Sequence, residues 1–144
     1  MFTALENRLE QHGNWLLLLA RLLMAIIFLH EASTLLVGFQ AAAAAMSKIG
    51  VPAPALIATI ALQLVAGLML ALGWYGRLGA LALGLFCMMT AFLFHTNFAS
   101  QNELLHFEKD LAIAGGMFVT AAVGTGAVSL DRFMPQRWRR RQGA

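Results

Sequence analysis

The sequence has few charged residues. Only 12% of its 144 residues are Asp, Glu, Lys or Arg, about half of the roughly 25% typical of a soluble globular domain. Hydrophobic residues make up 60% of the chain and the mean hydropathy is +0.72, so few polar side chains remain to cover a surface that faces water. The length suits one domain. These values exclude a freely soluble protein and predict an integral membrane protein.

Cysteine is also nearly absent. The single Cys87 lies within an apolar stretch, which excludes an intrachain disulfide and a cysteine-based metal site. We interpret it as an inert small hydrophobe. The sequence has no phosphate-binding glycine loop and no nucleophile elbow, so the chain is not predicted to be catalytic alone. It has no basic domain either, and nucleic-acid binding is not predicted.

Long apolar runs are what the sequence does have. Crossing the ~30 Å hydrocarbon layer as a helix takes about 20 apolar residues, and four segments meet or nearly meet this length. They predict an all-α bundle of four transmembrane helices in one domain, residues 1–131. A cleaved signal peptide is the alternative for the first segment, although the run is long and is interrupted by HEAST. The predicted spans are residues 15–39, 54–74, 78–98 and 111–129.

The links between the spans carry further predictions. The Pro52/Pro54 pair suits the start of the second helix, and the short link Tyr75–Arg77 makes the second and third helices antiparallel neighbours. The alanine-rich link at residues 40–53 favours a short helix at the membrane interface. In the fourth span, small residues recur every four positions and let another helix approach closely. They are Ala112, Gly116, Thr120 and Gly124.

The few charges are distributed unequally between the two predicted sides. One side holds only Lys48 and Lys109 among its basic residues, whereas the other holds seven arginines. Since Lys and Arg are retained on the cytoplasmic side, both termini are predicted to be cytoplasmic. Residues 132–144 form a basic tail, interpreted as a topology determinant and lipid anchor, with partner docking as the alternative. The arginines are Arg8, Arg77, Arg132, Arg137, Arg139, Arg140 and Arg141.

Polar residues inside the spans are the first candidates for function, because they are costly in lipid. Arg21 lies six residues past Trp15, about 9 Å deep at about 1.5 Å per residue. Its side chain either extends back to the interface or binds an anionic ligand head or a carboxylate on another helix. Gln63 lies midway along the second span and is predicted to form an inter-helix hydrogen bond.

A second polar group is predicted near the outer ends of the helices. His30 and Glu31 lie about 15 Å beyond Arg21 on the first helix, too far to pair with it. Polar residues at the end of the third span and before the fourth fall on the same side, which brings three of the four histidines to one level. These residues are His95, Thr96, Asn97, Asn102, Glu103, His106, Glu108, Lys109 and Asp110. The candidate site residues among them are His95, Asn97, His106 and Lys109.

Three interpretations of this outer group stay open. In the first, it is a structural network in which Glu31 pairs with Lys109. In the second, it lines a ligand or quinone pocket, since His and Asn donors suit carbonyl oxygens. In the third, it binds a metal or haem, although no HxxxH pair places two histidines on one helical face. The metal ligands would be His30, Glu31, His95 and His106.

Two motifs late in the sequence are its most specific features, HFEKDLAIAGG at residues 106–116 and GTGAVSLD at residues 124–131. Together with Arg21 and GVPAP at residues 50–54, they make the sequence resemble the DoxX family of small four-helix membrane proteins, from Arg21 to Asp131. Further resembling positions are Phe28, Phe39, Gly73 and Arg77.

The resemblance implies a multi-pass protein of the bacterial inner membrane. For some family members it also implies a membrane subunit that serves redox chemistry, as in thiosulfate:quinone oxidoreductase or in complexes that link oxidative-stress and sulfur enzymes. The resemblance implies a membrane or soluble oxidoreductase as partner, and a quinone is the cofactor suggested. The lipid bilayer is the partner predicted from the composition, and a second copy of the chain is expected if the protein is a transporter. Where many relatives carry Gly, Lys and an acidic residue, this sequence has Ala32, Leu35 and Gln63, so no catalytic role carries over.

The leading functional hypothesis is therefore an accessory or quinone-contacting membrane subunit of a redox or oxidative-stress system. The first alternative is a small oligomeric transporter or permeation unit, in which Arg21, Gln63 and the His30/Glu31 pair mark a polar route. The second alternative is a metal- or haem-binding membrane protein.

Overall fold

The computed structural model describes the chain over residues 2–133, and the side chains of residues 12–133. This part of the chain is helical and contains no strand, which confirms the predicted all-α class. The basic tail predicted for residues 132–144 lies outside the described residues from position 134 onward. The helices are α1 (Phe2–Val37), α2 (Phe39–Lys48), α3 (Ala53–Leu72), α4 (Gly76–Phe94), α5 (Gln101–Val123) and α6 (Leu130–Phe133).

In the described part of the chain, three helical segments are long and apolar enough to cross a membrane: His12–Val37 of α1, α3 and α4. Their ends lie two to four residues before the predicted limits, because the chain leaves helical geometry at Gly38, Gly73 and His95. The alanine-rich link does form a helix, α2, as predicted.

Helix α5 differs more from its predicted span of residues 111–129. It begins at Gln101, and its 23 residues correspond to about 35 Å, long enough for a fourth crossing. Its first half carries Glu103, Glu108 and other charged residues, so that only the second half is continuously apolar. The helix ends at Val123, because Gly124 adopts a φ of 98° that favours glycine.

The helices pack in the order α1, α3, α4, α5, while α1 and α5 barely touch. Close approach within this row depends on glycine. A Cβ added at Gly84 of α4 would lie 2.8 Å from Phe118 Cε1 on α5, and one added at Gly79 would lie 2.9 Å from the carbonyl oxygen of Ala66 on α3. In the predicted small-residue stripe, Gly116 faces the Met24 side chain of α1.

The two ends of the bundle differ in construction. We call the end with the Gly73–Tyr75 link the turn end, and the end with residues 38–52 and 95–100 the loop end. At the turn end, segment 124–131 folds across the link: the Asp131 amide donates to the Gly73 carbonyl at 3.0 Å, and the Tyr75 amide donates to Asp131 Oδ1 at 3.0 Å. The tight link and the antiparallel α3–α4 pair agree with the prediction.

Candidate functional site

A polar cavity of about 330 Å³ lies between α1, α3, α4 and α5, toward the loop end. Its lining combines carboxylate, amide, hydroxyl, imidazole and ammonium groups in a protein whose helices are otherwise apolar. We call this cavity the polar lobe. Its polar lining residues are Glu31, Gln63, Thr90, His95, His106, Lys109 and Asp110.

A second cavity, of about 520 Å³, adjoins the first beneath the end of α2 and residues 49–52. We call it the apolar lobe, because its further lining is mostly aliphatic and aromatic, including Leu56, Met89 and Leu93. The two lobes meet at five shared residues, so they form one amphipathic site. The shared residues are Glu31, Gln63, Phe86, Thr90 and His95.

Gln63 lies at the inner end of this site. Its side chain is 4% exposed, and its Oε1 is buried without a hydrogen-bond partner. The inter-helix hydrogen bond predicted for this residue is therefore not made by its oxygen. A buried acceptor without a donor costs about 1–3 kcal/mol, which a bound donor group would recover.

Two stacked imidazoles line the polar lobe nearer the loop end, with the ring centroids of His95 and His106 5.1 Å apart. His95 Nδ1 lies 2.8 Å from Glu103 Oε2, and His106 Nδ1 lies 3.0 Å from Lys109 Nζ. A carboxylate only accepts and an ammonium only donates, so His95 Nδ1 donates and His106 Nδ1 accepts. In neutral imidazoles, Nε2 of His95 is then an acceptor and Nε2 of His106 a donor.

A third polar contact joins α4 to α5 deeper in the site. Thr90 Oγ1 lies 3.1 Å from Asp110 Oδ2, and also 3.2 Å and 3.0 Å from the carbonyl oxygens of Phe86 and Cys87. The hydroxyl has one hydrogen for three acceptors. The Asp110 carboxylate therefore keeps capacity to accept a hydrogen bond from a ligand.

Five of the eight predicted site residues come together in the two lobes, but one predicted pairing is wrong. Lys109 bonds to His106 rather than to Glu31, because the two residues lie one turn apart on α5. In the described part of the chain, Glu31 makes no hydrogen bond or ion pair and borders both lobes. The five are Glu31, Gln63, His95, His106 and Lys109.

The other three predicted residues lie elsewhere. His30 and Asn97 are exposed and line neither lobe. Arg21 is at the turn end, 1% exposed, and its Nη2 donates to the Val128 carbonyl at 2.7 Å. Its side chain is thus enclosed by the segments of the turn end, and the carboxylate whose charge acts on it is Asp131 of the GTGAVSLD motif.

Metal ligation finds no support in the geometry. Within residues 12–133, no group of three or more His, Cys, Asp or Glu side chains is placed to hold a metal ion. His30 is separated from the stacked His95 and His106 because it lies on a different face of α1 from Glu31, as adjacent residues on a helix do.

Glu103 and Asp110 belong to the outer polar group predicted from the sequence but were not chosen as candidate site residues, and Thr90 was not predicted at all. A signal was present for Glu103, which precedes His106 by three residues and therefore shares its helix face. Asp110 is the last charged residue before an apolar run, also a usable signal. Thr90 gave none, because its role depends on how α4 and α5 align.

Known proteins place this geometry in context. The sequence matches the DoxX family over residues 16–96. Inner membrane protein YqjF of Escherichia coli (strain K12) is 38% identical over 132 residues, which cover 92% of this chain and 99% of that protein. Inner membrane protein YphA of the same organism is 32% identical over 124 residues, 81% of this chain and 89% of that protein.

A more distant match is a UPF0060 membrane protein of Paenarthrobacter aurescens (strain TC1). It is 35% identical over 65 residues, which cover 45% of this chain and 49% of that protein. No solved structure matches the sequence.

Proposed function

Since the chain belongs to the DoxX family and is a multi-pass protein of the inner membrane, we propose that it is an accessory, quinone-contacting membrane subunit of a redox system. The observation that carries this proposal is the joined pair of lobes. A quinone has a polar ring and an apolar chain, and lobes of about 330 Å³ and 520 Å³ fall within the roughly 300–1,000 Å³ typical of small-molecule sites.

The residues between the lobes suit the ring of such a ligand. Phe86 supplies an aromatic surface, and Gln63, Thr90 and His95 supply polar groups around it. The apolar chain of the quinone would then extend past Met89 and Leu93 toward α2. No nucleophile or bound redox group is needed for this role, which is to hold the ligand for an oxidoreductase partner.

The orientation belongs to the same proposal. Arg77 and Arg132 lie at the turn end, and Lys48 lies at the loop end. With both termini cytoplasmic, the site lies in the outer half of the membrane, and the oxidoreductase partner acts from there or from within the membrane.

A matched pair of substitutions on α3 tests the proposal. Ala55 lines the apolar lobe, whereas Ala58, one turn further along, lines neither lobe. Both are exposed positions of the same helix. Ala55→Trp should fill part of the lobe and weaken binding of a short-chain benzoquinone by about tenfold, near 1.4 kcal/mol, while Ala58→Trp should leave it unchanged.

The measurement is titration calorimetry of the full chain in lipid nanodiscs, preceded by mass spectrometry of quinones extracted with the protein. Equal effects of the two substitutions, or absence of binding to the unaltered chain, would exclude the proposal. Co-purification of an oxidoreductase with the chain from native membranes tests whether the chain has such a partner.

A second candidate is a small oligomeric transporter, and Glu31 is the observation that favours it. This carboxylate borders both lobes and has no polar partner among the described residues, as expected of a group that exchanges protons and a solute. The test is the flux of hydroxylated or amine solutes into proteoliposomes. Flux that Glu31→Gln abolishes, and that Glu108→Gln on the exposed surface retains, would support transport. Absence of flux would exclude it.

A further inference from the structure

We propose that the site binds the hydroquinone, the dihydroxy form of the ligand, more tightly than the quinone. This inference rests on the proposed function and adds which redox form the site selects. It is carried by the hydrogen-bonding roles of the groups that line the polar lobe, taken from its inner end outward.

The inner end of the polar lobe is rich in acceptors. Gln63 Oε1 is buried and has no donor. Asp110 Oδ2 faces a Thr90 hydroxyl whose one hydrogen is shared among three acceptors. Rotation of the Gln63 amide would exchange its oxygen for its nitrogen, but Asp110 accepts in every rotamer.

The donors of the polar lobe on α5 are Lys109 Nζ and, in a neutral imidazole, Nε2 of His106, and they lie nearer the loop end than Asp110. Lys109 is directed toward His106, one turn nearer the loop end, with Nζ 3.0 Å from Nδ1. Among the residues that line either lobe, Lys109 carries the one permanent positive charge, and it lines the polar lobe together with the carboxylates of Glu31 and Asp110. The lobe as a whole therefore has a formal excess of negative charge.

The middle of the site adds two further acceptors. Glu31 has no polar partner in the described chain, and in a neutral imidazole Nε2 of His95 accepts because its hydrogen is on Nδ1, facing Glu103. These groups lie where the two lobes meet, next to the position proposed for the ring.

A hydroquinone matches this pattern because each of its two hydroxyl groups can donate. A quinone has two carbonyl oxygens that only accept, and placing one against the Asp110 or Glu31 carboxylate sets two acceptors against each other with no hydrogen between them. The predicted difference is at least tenfold in dissociation constant. For a two-electron couple, a tenfold preference for the reduced form raises the reduction potential of the bound ligand by about 30 mV.

The test compares a benzoquinone bearing one isoprenoid unit with its hydroquinone. Anaerobic titration calorimetry of the full chain in nanodiscs gives both dissociation constants. Glu31→Gln and Asp110→Asn each replace a carboxylate by an amide that can donate, so both should lower the preference about threefold or more. Met89→Ala, in the apolar lobe, should weaken both forms equally and keep the ratio.

The Glu31→Gln variant is expected to fold, because Glu31 is exposed and makes no polar contact within residues 12–133. A change in its binding ratio is therefore not a result of unfolding. Tighter binding of the hydroquinone, with the ratio reduced by both amide variants, supports the inference. Equal affinities, tighter binding of the quinone or a ratio that neither variant changes would overturn it and leave quinone binding standing. Binding of neither form would overturn the proposed function and the inference together.

Discussion

Gly73 lies where three parts of the chain meet at the turn end. It has a φ of 66°, and an added Cβ would meet Nη1 of Arg21 and the side chain of Ser129. Gly73→Ala should therefore lower the free energy of unfolding by about 2 kcal/mol, from backbone strain and from displacement of the buried guanidinium. Thermal unfolding in detergent measures this.

The control for Gly73 is Gly13→Ala on α1, where an added Cβ meets nothing within 4 Å and the helix gains about 1 kcal/mol of propensity at most. A similar loss of stability in both variants would show that the close packing around Gly73 is not what matters.

Glu103 holds His95 through the 2.8 Å contact to Nδ1. Glu103→Ala should let this imidazole change tautomer and orientation, and should weaken binding of a short-chain hydroquinone by up to about tenfold, the effect of losing one hydrogen bond between neutral groups. Glu108→Ala, on the exposed surface of the same helix, is the matched control. Titration calorimetry should find the hydroquinone affinity of Glu108→Ala unaltered. Equal losses of affinity in the two variants would count against a positioning role for Glu103.

At the scale of single residues, the sequence identified chemical types better than contacts. Glu31, His95, His106 and Lys109 were assigned to one cluster because charge and imidazole are rare in lipid-spanning helices. Their pairing could not be predicted, because it depends on the rotation of each helix about its axis. The same rotation separates His30 from the cluster although it is adjacent to Glu31.

The α4–α5 pair depends on close contact at Gly84. An added Cβ there would lie 2.8 Å from Phe118 Cε1 and 3.1 Å from Met117 Cβ. Gly84→Val should force the helices apart, at about 1–3 kcal/mol of stability, and lengthen the Thr90–Asp110 contact. The ligand affinity and the unfolding temperature of Gly84→Val should both be lower than those of the unaltered chain.

Gly115→Val is the matched change on α5, because an added Cβ at Gly115 meets nothing within 4 Å. Both variants replace a helical glycine by the same β-branched residue, so the change in helix propensity is equal. If Gly115→Val destabilises the protein as much as Gly84→Val does, close packing at Gly84 is not the cause of the lost stability.

At the scale of elements, the order of the four long helices and of α2 was predictable because hydrophobic length is a strong signal, whereas the four-residue α6 was not predicted. The ends were less predictable: α5 begins at Gln101, not at residue 111, and its charged first half lines a cavity on one side. Hydropathy alone cannot distinguish such a helix from a polar loop.

At the scale of the whole molecule, the membrane orientation can be tested with introduced cysteines. Native Cys87 is buried at 3% exposure and should give little background. Asn97→Cys, exposed at the loop end, should react with a membrane-impermeant maleimide in spheroplasts, while Leu130→Cys at the turn end should react only after lysis. The reverse pattern would refute cytoplasmic termini.

From the weak contact between α1 and α5 we predict how a ligand is supplied. A molecule dissolved in the lipid tails would pass between these two helices into the polar lobe without entering water. Occupancy for such a molecule is set by its mole fraction in the bilayer. Dilution of the buffer would leave the bound fraction unchanged, whereas added empty lipid would lower it.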